Sequence, residues 1–313
     1  MKTIAIVGAG GFVGKNLCES LCEDYRVYAI TRTDFDLTDS EQVCRFFEQH
    51  TFDTVINCAN QGGARNNGYA QTDVIGNNLK IFFNLERCLN DNTKLINFGS
   101  GAQYNKQRNL TEIKECDIGQ ILPIDDYGFS KYVMSRYISA NQKDNIYNPI
   151  IFGLYGKYED YTYKFISNAI VKNLLKMPIV INQNVEFDYL FIDDFVQIIR
   201  AMIEDEFKNR EFNITPDQSI NLYTIAQMIN HIGNHQSEIQ IRNEGMNYTY
   251  TGDNSLLKEN LHGSFKFTSY EDGISQLYQY YKEHIEELDL STIYEDKAIQ
   301  YCQTNRRGRN NVL

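Results

Sequence analysis

The sequence contains no tryptophan, only four prolines and no long run of apolar residues. With so little proline and no biased tract, a disordered linker is not indicated. The first apolar run, at 4–7, is too short for the core of a signal peptide, and no stretch approaches the roughly eighteen apolar residues of a membrane-spanning helix. We therefore expect a soluble protein that stays in the cytoplasm and has no membrane partner.

Paired cysteine motifs and excess positive charge are also missing. The seven cysteines form no Cys-x-x-Cys pair. A zinc site or a thioredoxin-like motif is therefore not indicated, and we predict no bound metal and free thiols in a reducing compartment. The sequence has 30 Lys and Arg against 41 Asp and Glu, a net charge of −11. That balance argues against a nucleic-acid partner.

What the first half does contain is a regular alternation of apolar runs and helical patterns. Strands are predicted at 4–7, 26–31, 54–58, 94–98 and 148–152, and helices at 14–22, 39–49, 74–88 and 127–140. Apolar strands that alternate with helices predict right-handed βαβ units on a parallel sheet. The predicted fold is α/β, a Rossmann-like doubly wound parallel sheet with a smaller mixed α/β C-terminal substrate lobe.

The second half has a less regular pattern. Helices are predicted at 163–175, 194–203 and 273–287, a strand at 185–192, and a polar stretch near 234–260. We expect residues 1–155 to form an NAD(P)-binding Rossmann domain and residues 156–313 to form mainly a substrate-binding lobe. The segment 185–205 is expected to return to the Rossmann sheet.

Three glycines follow the first predicted strand at a fixed spacing: Gly8, Gly11 and Gly14. In a dinucleotide-binding βαβ unit the first glycine makes a tight turn, the second lets the backbone approach a pyrophosphate, and the third packs helix on strand. The helix start, with Phe12 and Val13, would point N–H groups and a positive dipole end at the phosphates. A glycine turn without a ligand is the alternative, but the position between strand and helix favours a phosphate loop.

Tyr127 and Lys131 are four residues apart on a predicted helix, so their side chains share one face. An ammonium beside the phenol would lower the pKa of the tyrosine, which makes Tyr127 a candidate general acid or base. Tyr278 and Lys282 have the same spacing, but no strand-end serine precedes them. Ser100 follows the strand predicted at 94–98, where ligands bind in open α/β sheets; a plain turn residue is the alternative.

These motifs together resemble the extended branch of the short-chain dehydrogenase/reductase family, the NAD-dependent epimerases and dehydratases that modify nucleotide sugars. The resemblance implies that Ser100 hydrogen-bonds the reacting oxygen and that Tyr127 transfers the proton. It also implies that Lys131 holds the nicotinamide ribose. The resemblance covers most of the chain.

Further positions match the family pattern outside this centre. They are Ala59 in the strand-end Cys58-Ala59-Asn60, Asn78 on the third helix, and Gln103 and Tyr104 after the serine. The resemblance implies that Ala59 contacts the cofactor and that Gln103 and Tyr104 contact the substrate.

The end of the second strand bears on the choice of cofactor. NAD-binding folds usually place a carboxylate there to hold the ribose 2′-hydroxyl. In this chain Arg32 directly follows the predicted strand, and no carboxylate occurs before Asp34. Arg32 could hold a 2′-phosphate. Asp36 and Leu37 resemble the pair that contacts adenine in the family. We therefore favour NADP(H) over NAD(H), with a solvated Arg32 as the alternative.

Two departures from the family pattern limit the chemistry. Dehydratases carry Thr-Asp-Glu at the strand end, whereas this chain has Ser100-Gly101-Ala102, so dehydration is not expected. The segment 188–194 resembles the family's R-D-F-x-x-V-x-D, but the arginine that often holds the substrate diphosphate is Phe187 here. Lys164 and Asn168 are the predicted substitutes.

The stretch 61–78 resembles GDP-fucose synthases, which epimerise and then reduce a GDP-4-keto-6-deoxy sugar. Their epimerising Cys and His correspond to Ala102 and Thr162, and neither side chain can move a proton at a sugar carbon. We predict NADPH-dependent reduction of a nucleotide-diphosphate 4-keto sugar at C4, in surface-polysaccharide synthesis. The family resemblance implies a homodimer through helices near 74–90 and 127–142. A 4-epimerase with bound NAD and a non-catalytic NADP-binding sensor are the alternatives.

Overall fold

The strands and helices of the chain are taken from a computed structural model that describes residues 1–62, 73–263, 265–296 and 299–300. The strands of these ranges are β1 Thr3–Val7, β2 Arg26–Ile30, β3 Thr54–Asn57, β4 Lys94–Asn97, β5 Gly99–Ser100, β6 Leu110–Ile113, β7 Ile146–Ile151, β8 Gly153–Tyr155, β9 Ile179–Asn184, β10 Glu186–Phe187, β11 Tyr189–Phe191, β12 Glu211–Ile214, β13 Ile220–Asn221, β14 Ile239–Met246 and β15 Tyr250–Gly252. The helices are α1 Phe12–Leu21, α2 Ser40–Gln49, α3 Val74–Cys88, α4 Asp126–Ala140, α5 Phe165–Leu174, α6 Ile192–Glu204, α7 Leu222–Ile232, α8 Ser255–Asn260, α9 Tyr270–Glu283 and α10 Ser291–Tyr294.

The main sheet has the order β12-β7-β4-β3-β1-β2, with β5 also pairing to β7. All of its pairings are parallel. The strand order reverses at β1, which lies between β2 and β3. Ligands of open α/β sheets bind at such a switch point, beyond the carboxyl ends of the strands. The predicted Rossmann-like, doubly wound fold is confirmed.

Alternation along β1 divides the hydrophobic core between the two faces of the sheet. Ile4 and Ile6 belong to one buried cluster, and Ala5 and Val7 belong to another. Side chains of a strand alternate between faces, so a run that is buried throughout must be covered on both sides. Helices α2, α3 and α4 pack with the second cluster, and α1, α5 and α6 pack with the first.

Aspartate caps fix where the helices near the sheet begin. The Asp39 carboxylate accepts hydrogen bonds from two backbone N–H groups of α2. Asp73 accepts from Gly76 N at 2.9 Å, and Asp125 accepts from Gly128 N at 3.0 Å. Such caps satisfy N–H groups that have no partner inside a helix. They therefore set the register of α3 and α4 over the sheet.

The smaller lobe contains short sheets built from distant parts of the chain. One has the order β13-β10-β15-β6, in which Phe187 pairs with Tyr250 and Tyr250 pairs with Leu110. Two further pairs, β8 with β11 and β9 with β14, are parallel. The segment near 234–260, expected only as a polar stretch, thus supplies β14, β15 and α8.

The segment 185–205 contributes β10, β11 and α6, and α6 packs against α1 beneath the main sheet. The strand that returns to the main sheet is β12, which pairs with β7 from Glu211 to Ile214. We keep the division into 1–155 and 156–313 as a proposal, with β12 as the element of the second segment that rejoins the first.

Two cysteines form a disulfide between neighbouring helices, Cys44 on α2 and Cys88 at the end of α3, with their Cα atoms 5.4 Å apart. The prediction of free thiols is wrong for this pair. Helices α2 and α3 lie on the same face of the sheet, which brings residues 44 positions apart within disulfide range. Among the described cysteines, Cys18, Cys22, Cys58 and Cys116 are free.

A search of the described helices finds none with both the length and the apolar character needed to span a membrane.

The tight turn after β1 yields a stability prediction. A Cβ on Gly14 would lie 2.4 Å from the Gly8 carbonyl oxygen and 2.7 Å from Ala9 Cα, whereas a Cβ on Gly10 would meet nothing within 4 Å. We expect Gly14→Ala to lower the free energy of unfolding by about 1–3 kcal/mol, the usual cost of overpacking, and Gly10→Ala to leave it nearly unchanged. Chemical denaturation of both variants measures this. Equal stability of the two variants would contradict the packing described.

Candidate active site

The turn that follows β1 brings the backbone close to the end of β3. Gly8 has a φ of +79°, and a Cβ there would lie 2.7 Å from Ala59 N. Gly11 N donates to the Gly8 carbonyl at 3.1 Å. No side chain caps the start of α1 at Gly11, and a Cβ on Gly11 would meet no atom closer than 3.5 Å.

This geometry fits the phosphates of a dinucleotide. The first N–H groups of α1, including those of Phe12 and Val13, lack a side-chain cap, and the positive end of the helix dipole lies with them. The small residues at Gly10 and Gly11 leave room beside this end. Backbone donors and a helix N-terminus are the groups that bind pyrophosphate in such folds.

The loop after β2 carries the residues that we assign to the adenosine end. Arg32 is exposed, and Asp34 accepts from Thr31 N at 2.7 Å. Asp36 accepts from the backbone and hydroxyl of Thr38, each at 2.9 Å, while Leu37 is buried. The Asp34 carboxylate is thus engaged within its own loop, and Arg32 is the charged side chain facing solvent at the strand end.

Asn78 on α3 ties the end of β3 to α4. Its amide accepts from Gln61 N at 2.7 Å and donates to the Gln61 carbonyl at 3.0 Å and to Ser130 Oγ at 3.1 Å. Ser130 Oγ in turn donates to the Tyr127 carbonyl at 2.8 Å. Of the stretch 61–78 that resembles GDP-fucose synthases, residues 63–72 lie outside the described residues.

Ser100 stands at the end of β5, in the turn that leads to a short 3-10 helix at Gly101–Tyr104. Ser100 Oγ accepts from Ala102 N at 3.2 Å, and Ser100 N donates to Gln103 Oε1 at 3.3 Å. These bonds form a capping box, so Gln103 holds the turn on which Ser100 is presented. The side chain of Gln103 is fully buried.

Tyr104 lies deeper, also fully buried, and its hydroxyl donates to Asn213 Oδ1 at 2.7 Å. Ala102 is buried as well. In this arrangement Gln103 and Tyr104 support the turn from within the protein, and their predicted contacts to substrate stay predictions.

Helix α4 places Tyr127 and Lys131 over this turn. The ammonium of Lys131 donates to the Phe98 carbonyl at 2.6 Å and lies 5.8 Å from the centre of the Tyr127 ring. Lys131 is almost entirely buried, and burial lowers its pKa to about 8. The charge of Cys58, at the end of β3, acts in the opposite direction.

Burial raises the pKa of Tyr127 above its usual value, and a hydrogen bond with the Ser100 side chain opposes that rise. The expectation that Lys131 would lower this pKa is wrong. The ammonium is directed at the Phe98 carbonyl instead of the phenol oxygen. A phenol that keeps its proton near neutral pH is suited to act as an acid.

A second phenol, which the sequence analysis did not identify, lies at the same place. Burial raises the pKa of Tyr250 on β15, and hydrogen bonding to the Ser100 side chain opposes that rise. A Cβ on Gly101 would lie 2.5 Å from the Tyr250 hydroxyl oxygen. No local pattern marks Tyr250, because it comes from the polar stretch that was predicted without strands.

Lys164 and Asn168, predicted as substrate contacts, lie at the start of α5. Lys164 is exposed, and Asn168 Nδ2 donates to the Tyr161 carbonyl at 3.1 Å. Burial raises the pKa of the neighbouring Glu159 to about 7, and the Lys164 charge opposes this. Thr162 bonds to Asp160 in the same loop.

The second Tyr-x-x-x-Lys spacing has a different environment. Tyr278 is buried among α5, α7 and α9, and its hydroxyl donates to Asn173 Oδ1 at 2.9 Å. This environment supports the choice of Tyr127 over Tyr278 as the reacting phenol.

The chain is similar to known proteins in sequence and in fold. Residues 4–215 match the model of the NAD dependent epimerase/dehydratase family. A GDP-L-colitose synthase from Yersinia pseudotuberculosis is 24% identical over 311 residues, covering 89% of this chain and 97% of that protein.

Among solved structures, a GDP-mannoheptose C4 reductase from Campylobacter jejuni with NADP bound has a TM-score of 0.74 at 22% identity, covering 90% of this chain and 98% of that one. A UDP-glucose 4-epimerase from Thermotoga maritima with UDP-glucose also has a TM-score of 0.74, at 18% identity, covering 90% of this chain and 99% of that one. At these identities the structural likeness concerns the fold.

Proposed function

The chain belongs to the NAD-dependent epimerase/dehydratase family, and on that premise we propose that it is an enzyme that reduces a nucleotide-activated 4-keto sugar at C4. The 4-keto-6-deoxy sugars of surface-polysaccharide synthesis are the proposed substrates. The observation that carries the proposal is a centre that brings the side chains of Ser100 and Tyr127 together beside the buried ammonium of Lys131. Ala102 and Thr162 correspond by resemblance to the epimerising Cys and His of GDP-fucose synthases, and neither side chain can exchange a proton at a sugar carbon.

NADPH, when bound, supplies the hydride that reaches the carbonyl carbon. The role of this chain is then to hold the carbonyl oxygen and to supply its proton. Tyr127 donates that proton, and Ser100 hydrogen-bonds the same oxygen as charge develops on it. Lys131, anchored at the Phe98 carbonyl, is assigned to the nicotinamide ribose.

NADP(H) is proposed over NAD(H) because Arg32 is the exposed cation at the end of β2, while Asp34 is bonded to Thr31. A guanidinium forms charge-assisted hydrogen bonds with a 2′-phosphate. The structural neighbour with NADP bound is consistent with this choice. Gly8, Gly11 and the N–H groups of Phe12 and Val13 are assigned to the pyrophosphate.

In the family, an arginine often holds the substrate diphosphate, and this chain has Phe187 at that position. Another cation is therefore needed to bind the diphosphate. Arg108 precedes β6, and its Nε and Nη2 atoms are buried without a hydrogen-bond partner. Leu110 pairs with Tyr250 and Tyr250 with Phe187, so Leu110, two residues after Arg108, lies about two strand spacings, roughly 10 Å, from position 187. We propose Arg108 as a diphosphate contact in addition to Lys164 and Asn168, because phosphate oxygens satisfy a guanidinium well.

A 4-epimerase that retains NAD is the second candidate. It is favoured by the likeness of the fold to a UDP-glucose 4-epimerase. Its chemistry would use the same Ser100 and Tyr127, with Tyr127 acting first as a base.

A homodimer through α3 and α4 is also proposed. These helices lie side by side on one face of the sheet, where the Lys143 ammonium meets Glu86 at 2.8 Å. Their position on the outside of the same layer would allow a second copy to pack against both.

The reductase proposal is tested by removing one hydroxyl. Tyr127→Phe should lower kcat for NADPH oxidation with a 4-keto sugar nucleotide by about 10²- to 10⁴-fold, the contribution of general acid catalysis, while the NADPH dissociation constant stays nearly unchanged. Tyr278→Phe is the matched control, which should lower the melting temperature through its lost bond to Asn173 and leave kcat unchanged. Loss of activity in the control but not in Tyr127→Phe would refute the assignment.

The cofactor proposal is tested by titration. Arg32→Ala should weaken NADPH binding by about ten- to a hundredfold, the worth of a charged hydrogen bond, and leave NADH binding nearly unchanged. Arg26→Ala, at the opposite end of the same strand, is the control and should change neither dissociation constant. If the unmodified protein binds NADH and NADPH equally well, the preference for NADP(H) is wrong.

A further inference from the structure

Tyr104 ties the catalytic turn, which consists of Ser100 and the 3-10 helix Gly101–Tyr104, to strand β12. The Tyr104 hydroxyl donates to Asn213 Oδ1 at 2.7 Å, across 109 residues of sequence. Both side chains are fully buried. At its other end the turn is held by β5, where Ser100 pairs with Ile151 of β7. The turn is therefore fixed at both ends to neighbouring strands of the main sheet.

The hydrogen bonds of the Asn213 amide determine which of its atoms faces Tyr104. Asn213 Nδ2 donates to the Ile113 carbonyl at 2.8 Å and to the Asp253 carbonyl at 3.1 Å. Because a carbonyl oxygen can only accept, the amide nitrogen must face these two groups, and Oδ1 must face the phenol. Burial raises the pKa of Tyr104 well above its usual value, so the hydroxyl keeps the hydrogen that it donates.

Asn213 also joins the catalytic turn to the smaller lobe. Ile113 is the last residue of β6, and Asp253 directly follows β15, which pairs with β6 in the small-lobe sheet. The backbone N–H of Asn213 donates to Glu115 Oε1 at 2.6 Å, just beyond β6. Asn213 thus contacts the catalytic turn on one side and the end of the small-lobe sheet on the other.

The same face of β12 also holds α4, the helix of the proposed catalytic tyrosine. Residues i and i+2 of a strand lie on one face, so Glu211 and Asn213 share a face. The Glu211 carboxylate accepts from Ser139 Oγ at 2.7 Å and from Ser135 Oγ, both on α4. Strand β12 therefore contacts both halves of the centre, the catalytic turn through Asn213 and α4 through Glu211.

We propose that Asn213 is a positioning residue: by accepting the hydrogen bond of the Tyr104 hydroxyl, it keeps Ser100 at a fixed place relative to Tyr127. Ser100 and Tyr127 must meet one oxygen at the same time, and a displacement of about 1 Å at such a centre can lower the rate about a hundredfold. The inference rests on the proposed function in one respect, that Ser100 and Tyr127 act on the reacting oxygen.

Removing the Tyr104 hydroxyl tests the inference. Tyr104→Phe keeps the ring beside Phe152 and leaves Asn213 Oδ1 without its donor. We expect kcat to fall about ten- to a hundredfold through displacement of Ser100, with KM and the NADPH dissociation constant nearly unchanged.

Tyr25→Phe is the matched control. Tyr25 is also buried, and its hydroxyl donates to Glu204 Oε1 over the same 2.7 Å, but it lies just before β2, at the amino ends of the strands. Both variants lose one hydroxyl bond and should have lower melting temperatures, whereas only Tyr104→Phe should lose kcat. Full kcat in Tyr104→Phe, or the same loss of kcat in both variants, would overturn the inference.

Asn213→Leu, a substitution of similar size, tests whether Tyr104 acts through Asn213. If it does, the double variant with Tyr104→Phe should have the kcat of Asn213→Leu alone, because the hydroxyl then has no acceptor there. Losses that multiply would contradict the inference. Asn213 also binds two carbonyl groups, so if Asn213→Leu does not fold, the comparison of Tyr104→Phe with Tyr25→Phe decides.

Hydrogen–deuterium exchange gives a readout that needs no substrate. The catalytic turn contains the bonds from Ala102 N to Ser100 Oγ and from Asn105 N to the Ala102 carbonyl. Amides of residues 100–105 should exchange about five- to tenfold faster in Tyr104→Phe, the effect of one lost hydrogen bond, and at the parent rate in Tyr25→Phe. Unchanged exchange in Tyr104→Phe would overturn the inference whatever the activity. Faster exchange, with a parent protein that reduces no 4-keto sugar nucleotide, would refute the proposed function and support the positioning of the turn by Asn213.

Discussion

The buried ammonium of Lys131 and the carbonyl oxygen of Phe98, 2.6 Å apart, form the contact on which the geometry of the centre depends. Phe98 lies between β4 and β5, so this bond fixes α4 against the sheet at the point where the catalytic turn begins. Tyr127, one helical turn before Lys131, is thereby placed at Ser100. Removing a cation from water is unfavourable, which is why burial lowers the pKa of Lys131 to about 8.

Further contacts hold the elements that carry the hydroxyl groups of Ser100, Tyr127 and Tyr250. Asn78 joins α3 to α4 through Ser130, the Asp125 carboxylate caps α4, and Gln103 caps the turn of Ser100. The small lobe adds Tyr250 through a sheet that also contains Phe187. The ring of Phe187, at the position where the family often has an arginine, stacks on the Tyr250 ring.

The sequence predicted those elements correctly whose pattern lies within one short stretch of the chain. Helix α3 was predicted with its exact bounds because its cap, apolar face and end lie in one stretch, and Gly8, Gly11 and Gly14 have roles that follow from backbone geometry. Elements whose partners are far along the chain were missed. Strand β6 pairs with β15 across about 140 residues, and neither has an apolar alternation of its own. Tyr250 and the Cys44–Cys88 disulfide were missed for the same reason, because each depends on the tertiary fold.

The reaction proposed for this chain is reduction at C4 without inversion at the neighbouring carbons. The most direct measurement is the reaction of a 4-keto nucleotide sugar with NADPH in D₂O, with the product examined by NMR. We expect a C4 alcohol with no deuterium at C3 or C5 above a no-enzyme control, because Ala102 and Thr162 cannot exchange a proton there. Enzyme-dependent deuterium at C3 or C5, or net 4-epimerisation without added cofactor, would contradict it.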